Sequence, residues 1–267
     1  VSDDNEILTE WTQIPVAGRD RTVRHMHGYL ARPAGPGPWP AVLLGFEMFG
    51  ITGYLRAVAA QVAAAGYLAL VPDFYHWQAD GETPIELPAN ADGRNRGFEL
   101  VNGLRREQVQ ADVRAAIAHL AARPDCTGQA AMVGLSAGGH IAYYAATQVP
   151  LAALAVFYPG WLTGKQIGLS NPEPVLASTP GLAALRTPVL IMAGGTDQLY
   201  EPGDLDAIEA QLTSDGVRHE LVVYPDTPHG FACFERDTYR PEAAADAWAR
   251  THRLLAEMFG TRSNPLA

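Results

Sequence analysis

The chain has 267 residues, 48% of them hydrophobic, a formal net charge of −10 and a pI near 5.2. It is long enough to bury a full core, and its aromatic and aliphatic residues run along the whole length, which excludes disorder. No basic cluster exists to release counterions, which excludes a nucleic-acid or anionic-membrane surface, and the two cysteines, Cys126 and Cys233, exclude a disulfide scaffold and lack metal-site spacing. Residues 1–6 (VSDDNE) carry no apolar signal core, and no apolar run approaches the roughly 18 residues of a membrane span. A soluble cytoplasmic protein is the expectation.

In chain order, residues 9–15 and 22–31 predict an antiparallel pair at a sheet edge, split by a turn at Ala17, Gly18, Arg19 and Asp20. Residues 41–45 read as a buried strand and 54–65 as an alanine-rich helix ended by Gly66. A strand at 67–71, closed by Pro72, precedes one long helix over 94–122, stopped by Pro124. Then come a strand at 130–133, a helix at 141–147, and strands at 151–158, 188–193 and 220–224, with a last helix over 242–258. This alternation implies right-handed crossovers and a mostly parallel sheet covered by helices on both faces. No linker or repeat divides residues 1–267, so a single domain is expected. Stretches 77–90 and 160–182, rich in Pro and Gly, follow strand ends and are candidates for lining a pocket.

Gly134-Leu135-Ser136-Ala137-Gly138-Gly139 lies between a strand and a helix, the context a G-x-S-x-G elbow needs to present a serine hydroxyl above a sheet. That hydroxyl needs a base, and the base a third group to fix its tautomer. Asp197 and His229 follow later strands, and Ser, Asp, His is the chain order of α/β-hydrolases. Asp226 stands too close to His229 in sequence to orient it, and Asp204 and Asp206 suit a helix start better. His25 and His27 share a strand face without further ligands, which leaves them as a solvated or core pair. One oxyanion donor is expected from the N–H of Ala137, the other from the loop Phe46 to Gly50. Glu47 is an unexpected acid at an apolar strand end.

Together with the Ala65-Gly66-Tyr67 to Pro72-Asp73-Phe74-Tyr75 segment, Gly194-Gly195-Thr196-Asp197, His229-Gly230-Phe231 and the tail around Tyr239 and Trp248, the Glu47-Met48-Phe49-Gly50 run and the elbow resemble the dienelactone hydrolase family over nearly the whole chain. The resemblance implies a compact α/β-hydrolase fold, hydrolysis of an ester or enol-lactone, and no cofactor. It also implies that Glu47 approaches the nucleophile and that the N–H groups of Met48 and Ala137 form the oxyanion hole. Two departures stand out. The family's usual nucleophile is cysteine, and Ser136 replaces it; an alkoxide cannot preform near neutral pH as a thiolate can, so Ser136 relies on His229 throughout. Glu47 is then left to position substrate or water, or to repel anions. Of the two arginines the family uses for a substrate carboxylate, Arg94 falls in a comparable place, while the second is replaced by Cys233, with Arg236 nearby as a substitute.

The reading is a serine hydrolase that cleaves a carboxylic ester or lactone through an acyl-enzyme. Ser136, Asp197 and His229 are its catalytic residues, and Glu47, Tyr75, Arg94, Phe98, Tyr158 and Trp161 its pocket walls. Its partner is a small-molecule substrate, with no metal and no cofactor, on a monomer or homodimer. An acyltransferase or cyclase, a lyase using His229 and Glu47, and a non-catalytic binding protein are the alternatives.

Overall fold

The computed structural model describes residues 6–18, 22–78 and 82–261. Eight strands form one sheet in the order β1-β2-β4-β3-β5-β6-β7-β8. β1 (Ile7–Ala17) and β2 (Val23–Pro33) are the antiparallel edge, longer than the sequence pattern predicts; of their predicted turn, Arg19 and Asp20 lie outside the described residues. β2 also runs antiparallel to β4 (Leu68–Pro72). From β4 onward all pairs are parallel: β3 (Trp39–Gly45), β5 (Cys126–Leu135), β6 (Leu154–Phe157), β7 (Val189–Gly194) and β8 (His219–Tyr224). The inner strands are apolar runs buried on both sides, as a parallel sheet between helical layers requires.

The crossover β3–α1 (Gly53–Ala64)–β4 steps toward the β1 edge, whereas β5–α4 (Ala137–Ala146)–β6 steps toward β8. Crossovers of one hand that step in opposite directions put their helices on opposite faces. The fold is α/β, with a mostly parallel sheet, helices on both faces and an antiparallel edge.

The predicted helix over 94–122 is instead two helices, α2 (Ala91–Gly103) and α3 (Arg106–Ala121). Leu104 is extended (φ −63°, ψ 141°) and buried, so the chain leaves the helix at Gly103 to place a leucine in the core. Asn90 caps α2 by accepting the Gly93 N–H at 2.9 Å. The stretch 160–182 is more ordered than predicted: it holds short 3-10 turns at Gly168–Ser170 and Val175–Ser178 and the start of α5 (Pro180–Leu185). Asp204 and Asp206 do open α6 (Asp204–Ser214), although Gly203 holds the cap position and Asp204 reaches back to the Glu201 N–H at 2.8 Å. The last helix is α7 (Pro241–Phe259). Among the described residues no helix is long and apolar enough to cross a membrane, and no group of three or more His, Cys, Asp or Glu side chains could hold a metal.

Past β4, Asp73 fixes the chain by accepting the N–H groups of Tyr75 (3.0 Å) and Ile85 (3.4 Å). Burial lifts its pKa to about 6, against the lowering effect of these bonds. The folded state therefore keeps this proton after the unfolded chain has lost it, so the associated stability is present at low pH and disappears as pH rises through about 6. Wild-type stability relative to Asp73→Asn should fall by up to about 3 kcal/mol between pH 3 and pH 8, read by urea unfolding. A difference that does not vary with pH would remove the assignment.

Candidate active site

The C-terminal ends of β3, β5, β6, β7 and β8 converge on one edge of the sheet, where open α/β sheets bind ligands. Gly45 and Gly134 are register partners there, and the chain turns from β5 into α4 directly above them. A Cβ on Gly45 would come within 2.6 Å of the Gly138 carbonyl oxygen, and one on Gly138 would overlap the Gly45 carbonyl still more closely. Three glycines thus let a helix start sit on two strands at backbone contact. Ser136 forms the turn at φ 55°, ψ −119°, a region a side chain enters only when its surroundings fix it. Its N–H donates to the Phe157 carbonyl at 3.0 Å, and its carbonyl accepts from Gly139 at 2.8 Å. Although Ser136 occupies the cap position of α4, its side chain caps nothing.

The hydroxyl meets His229 instead: Ser136 Oγ and His229 Nε2 are 2.8 Å apart, and His229 Nδ1 is 2.8 Å from Asp197 Oδ2. The second Asp197 oxygen accepts the Leu199 N–H at 2.9 Å, which fixes the carboxylate from its far side. The Asp197 side chain is wholly buried, while 17% of the imidazole is exposed, so the ring is reachable from outside and the carboxylate is not. The two loops are tied together, since the Thr196 N–H donates to the Thr227 carbonyl at 3.1 Å. Asp226, the nearer acid in sequence, is exposed with φ 52° and makes no bond to the ring.

Met48 lies in the loop after β3, and Ala137 directly follows Ser136. Neither backbone N–H donates to an acceptor among the described residues. Ala137 opens α4, so the positive end of the helix dipole lies beside Ser136. Tyr75 lies fully buried behind Met48, with its hydroxyl donating to the Met48 carbonyl at 3.1 Å; it sets the orientation of that peptide and forms no exposed wall. Tyr158 is also fully buried and packs edge-on against His229 at 5.0 Å between ring centres. Phe98 on α2 and Trp161 past β6 meet at 5.8 Å between centres, so these two predicted wall residues are brought together. Arg94, one turn before Phe98, is exposed and without an acid partner among the described residues.

Glu47 departs from the sequence reading in one respect. It is 3% exposed, and its Oε2 accepts from Arg236 Nη2 at 2.6 Å, so the arginine expected as a substitute for carboxylate recognition is held by a protein acid. Burial raises the Glu47 pKa, opposed by the Arg236 and His229 charges. Its Oε1 has no partner within hydrogen-bond geometry among the described residues, although the Tyr158 hydroxyl is near enough to favour the charged form. Arg236→Met leaves this acid without its cation, with an expected loss of about 3 kcal/mol at pH 8. The double variant Glu47→Gln/Arg236→Met should recover most of it in urea unfolding.

One further residue near the site, His140, has no motif around it in the sequence. His140, one turn past Ser136 on α4, is buried and bridges the Gly160 carbonyl (3.4 Å) and the Ser170 hydroxyl (3.1 Å). Desolvation lowers its pKa to about 4, so it stays neutral and ties the 160–182 stretch to the helix that follows Ser136. Its spacing of four from Ser136 was the available signal.

Residues 26–259 match the model of the "Dienelactone hydrolase family". A protein of Synechocystis sp. described as "Putative carboxymethylenebutenolidase" is 32% identical over 233 residues, covering 85% of this chain and 90% of its own. A Bradyrhizobium sp. protein described as "Probable 2-oxo-3-(5-oxofuran-2-ylidene)propanoate lactonase" is 29% identical over 248 residues, covering 92% of each. The crystal structure described as "Putative Dienelactone Hydrolase from Klebsiella pneumoniae" superposes with a TM-score of 0.80 at 29% identity, covering 95% of this chain and all of that one. With its sheet, its glycine-clamped elbow and this match over most of its length, the chain belongs to the dienelactone hydrolase family and is a lactone or ester hydrolase.

Proposed function

We propose that the protein is a serine hydrolase acting through an acyl-enzyme, with Ser136 as nucleophile, His229 as general base and Asp197 as the group that orients it. The observation that carries this reading is the continuous hydrogen-bonded line from Ser136 Oγ through both ring nitrogens of His229 to Asp197, at 2.8 Å each step. His229 takes the hydroxyl proton as Oγ attacks the substrate carbonyl, and Asp197 stabilises the imidazolium. The N–H groups of Met48 and Ala137 receive the negative charge that forms on the carbonyl oxygen. The same imidazolium returns its proton to the departing alkoxide, leaving an ester on Ser136. Water, deprotonated by His229, then attacks that ester and releases the acid.

Arg236 is held by Glu47 at 2.6 Å, whereas Arg94, one turn from Phe98 on α2, has no acid partner among the described residues. The substrate class that fits is an ester or lactone with at most one carboxylate, its acyl body against Phe98 and Trp161. Intact-mass spectrometry after a fluorophosphonate probe tests the nucleophile. One adduct is expected, absent from Ser136→Ala; an unlabelled wild type, or an adduct that survives the substitution, would sink the reading.

A further inference from the structure

Met48 stands between two peptide groups, and both are pinned. The Glu47–Met48 peptide carries the N–H assigned to the oxyanion, and its Glu47 carbonyl accepts the Gly50 N–H at 3.1 Å. The next peptide offers the Met48 carbonyl, which accepts the Tyr75 hydroxyl at 3.1 Å. Gly97 of α2 closes on that same carbonyl, where a Cβ would come within 2.9 Å. The rest of the loop follows the segment past β4. The Leu87 N–H donates to the Phe49 carbonyl at 2.8 Å, and the Ile51 N–H to the Ile85 carbonyl at 3.1 Å. Gly50, at φ 80°, passes so near the Ile85 carbonyl that a Cβ would overlap it.

The supports of this loop, Tyr75 and Ile85, are themselves held by one side chain. Asp73 is 1% exposed; its Oδ1 accepts the Tyr75 N–H at 3.0 Å and its Oδ2 the Ile85 N–H at 3.4 Å. Its own N–H donates to the His27 carbonyl on β2 at 2.8 Å, which ties the staple to the sheet. Residues 73–78 and 82–90 form no helix and only the isolated bridge of Glu86 to Gly50, so no regular element fixes where Tyr75 and Ile85 sit. Burying a carboxyl is costly unless it is hydrogen-bonded, and here both bonds go to the two groups that support the Met48 loop.

We propose that Asp73 and Tyr75 are positioning residues for the hydrolysis, acting together to aim the Met48 N–H. Asp73 fixes Tyr75 and the 85–87 stretch, and these fix the peptides on either side of Met48. Both side chains are buried, so each acts through the loop. The inference rests on the reading of Ser136 as nucleophile and of the Met48 N–H as oxyanion donor. A donor aimed at charge that forms only in the transition state contributes to kcat and little to KM.

The test measures p-nitrophenyl acetate turnover at pH 8, where the Asp73 carboxyl is ionised. Asp73→Asn keeps the shape but leaves a single oxygen, so one of the two N–H groups loses its acceptor. Tyr75→Phe removes only the bond to the Met48 carbonyl. Each should lower kcat about tenfold, part of the roughly 10²–10³ that a lost oxyanion donor costs, with KM within about twofold. The Met48 amide resonance of the free protein should move in both variants. If Asp73→Asn does not fold, Tyr75→Phe decides the matter, since it leaves Asp73 and its bonds intact. A fluorophosphonate-labelled wild type whose kcat survives Tyr75→Phe, or a change confined to KM, overturns the positioning role alone. So does a Met48 amide that stays in place while kcat falls. A wild type that takes no label overturns the nucleophile, and this role with it, so the two failures are told apart.

Discussion

His229→Ala should lower kcat/KM on a p-nitrophenyl ester by about 10⁴-fold or more, with stability close to wild type. Without the imidazole 2.8 Å from Oγ, the Ser136 hydroxyl has no acceptor for its proton, and a neutral alcohol is a poor nucleophile. In the proposed cycle the same ring serves deacylation, so both halves should fail together. Asp226→Ala is the control: Asp226 is exposed, away from the ring, and its loss should leave turnover within about twofold, the behaviour of surface substitutions. Near-normal turnover in His229→Ala would remove the base assignment. A loss in Asp226→Ala equal to that in Asp197→Ala would remove the choice of acid.

Gly138→Ala should cost about 4 kcal/mol or more and abolish turnover. The added methyl would overlap the Gly45 carbonyl and meet the Phe46 oxygen, and both obstacles are backbone atoms at the centre of the sheet. Overpacking against side chains is relieved by rotamer changes at about 1–3 kcal/mol, whereas here either a strand or the start of α4 must move. Moving α4 moves Ser136 off His229, so activity should fall even where the variant still folds. Thermal unfolding and ester turnover measured together check this. Gly66→Ala is the comparison, because a Cβ there meets nothing within 4 Å and only the φ of 94° is strained. Equal destabilisation by the two would mean that backbone conformation, and not the close approach, governs the elbow.

What the sequence discloses follows from the range of each interaction. The parallel strands are apolar runs bounded by Gly or Pro, and the elbow and the loops of Asp197 and His229 carry local signatures, so the geometry around Ser136 could be anticipated. The break at Leu104 could not. Residues 94–122 keep a helical rhythm throughout, and only burial of the Leu104 side chain in the core draws the backbone out of it. Glu47 and Arg236 are 189 residues apart, so their pairing is set by the fold that brings the β3 loop to the segment after His229. Tyr75 failed as a wall for the same reason: its position past β4 was right, but its hydroxyl turns to the Met48 carbonyl.

The break at Leu104 also divides labour along what looks like one helix. α3 is bound into the core, with Asp112 buried between His76 and Trp77 at 2.9 Å from each. α2 carries Phe98 and Arg94 on a segment joined to α3 through two extended residues, Leu104 and Arg105. If Phe98 and Arg94 meet the substrate as proposed, changes confined to these two exposed positions would alter acyl preference while Leu100 and Val101 keep α2 anchored and α3 stays in place.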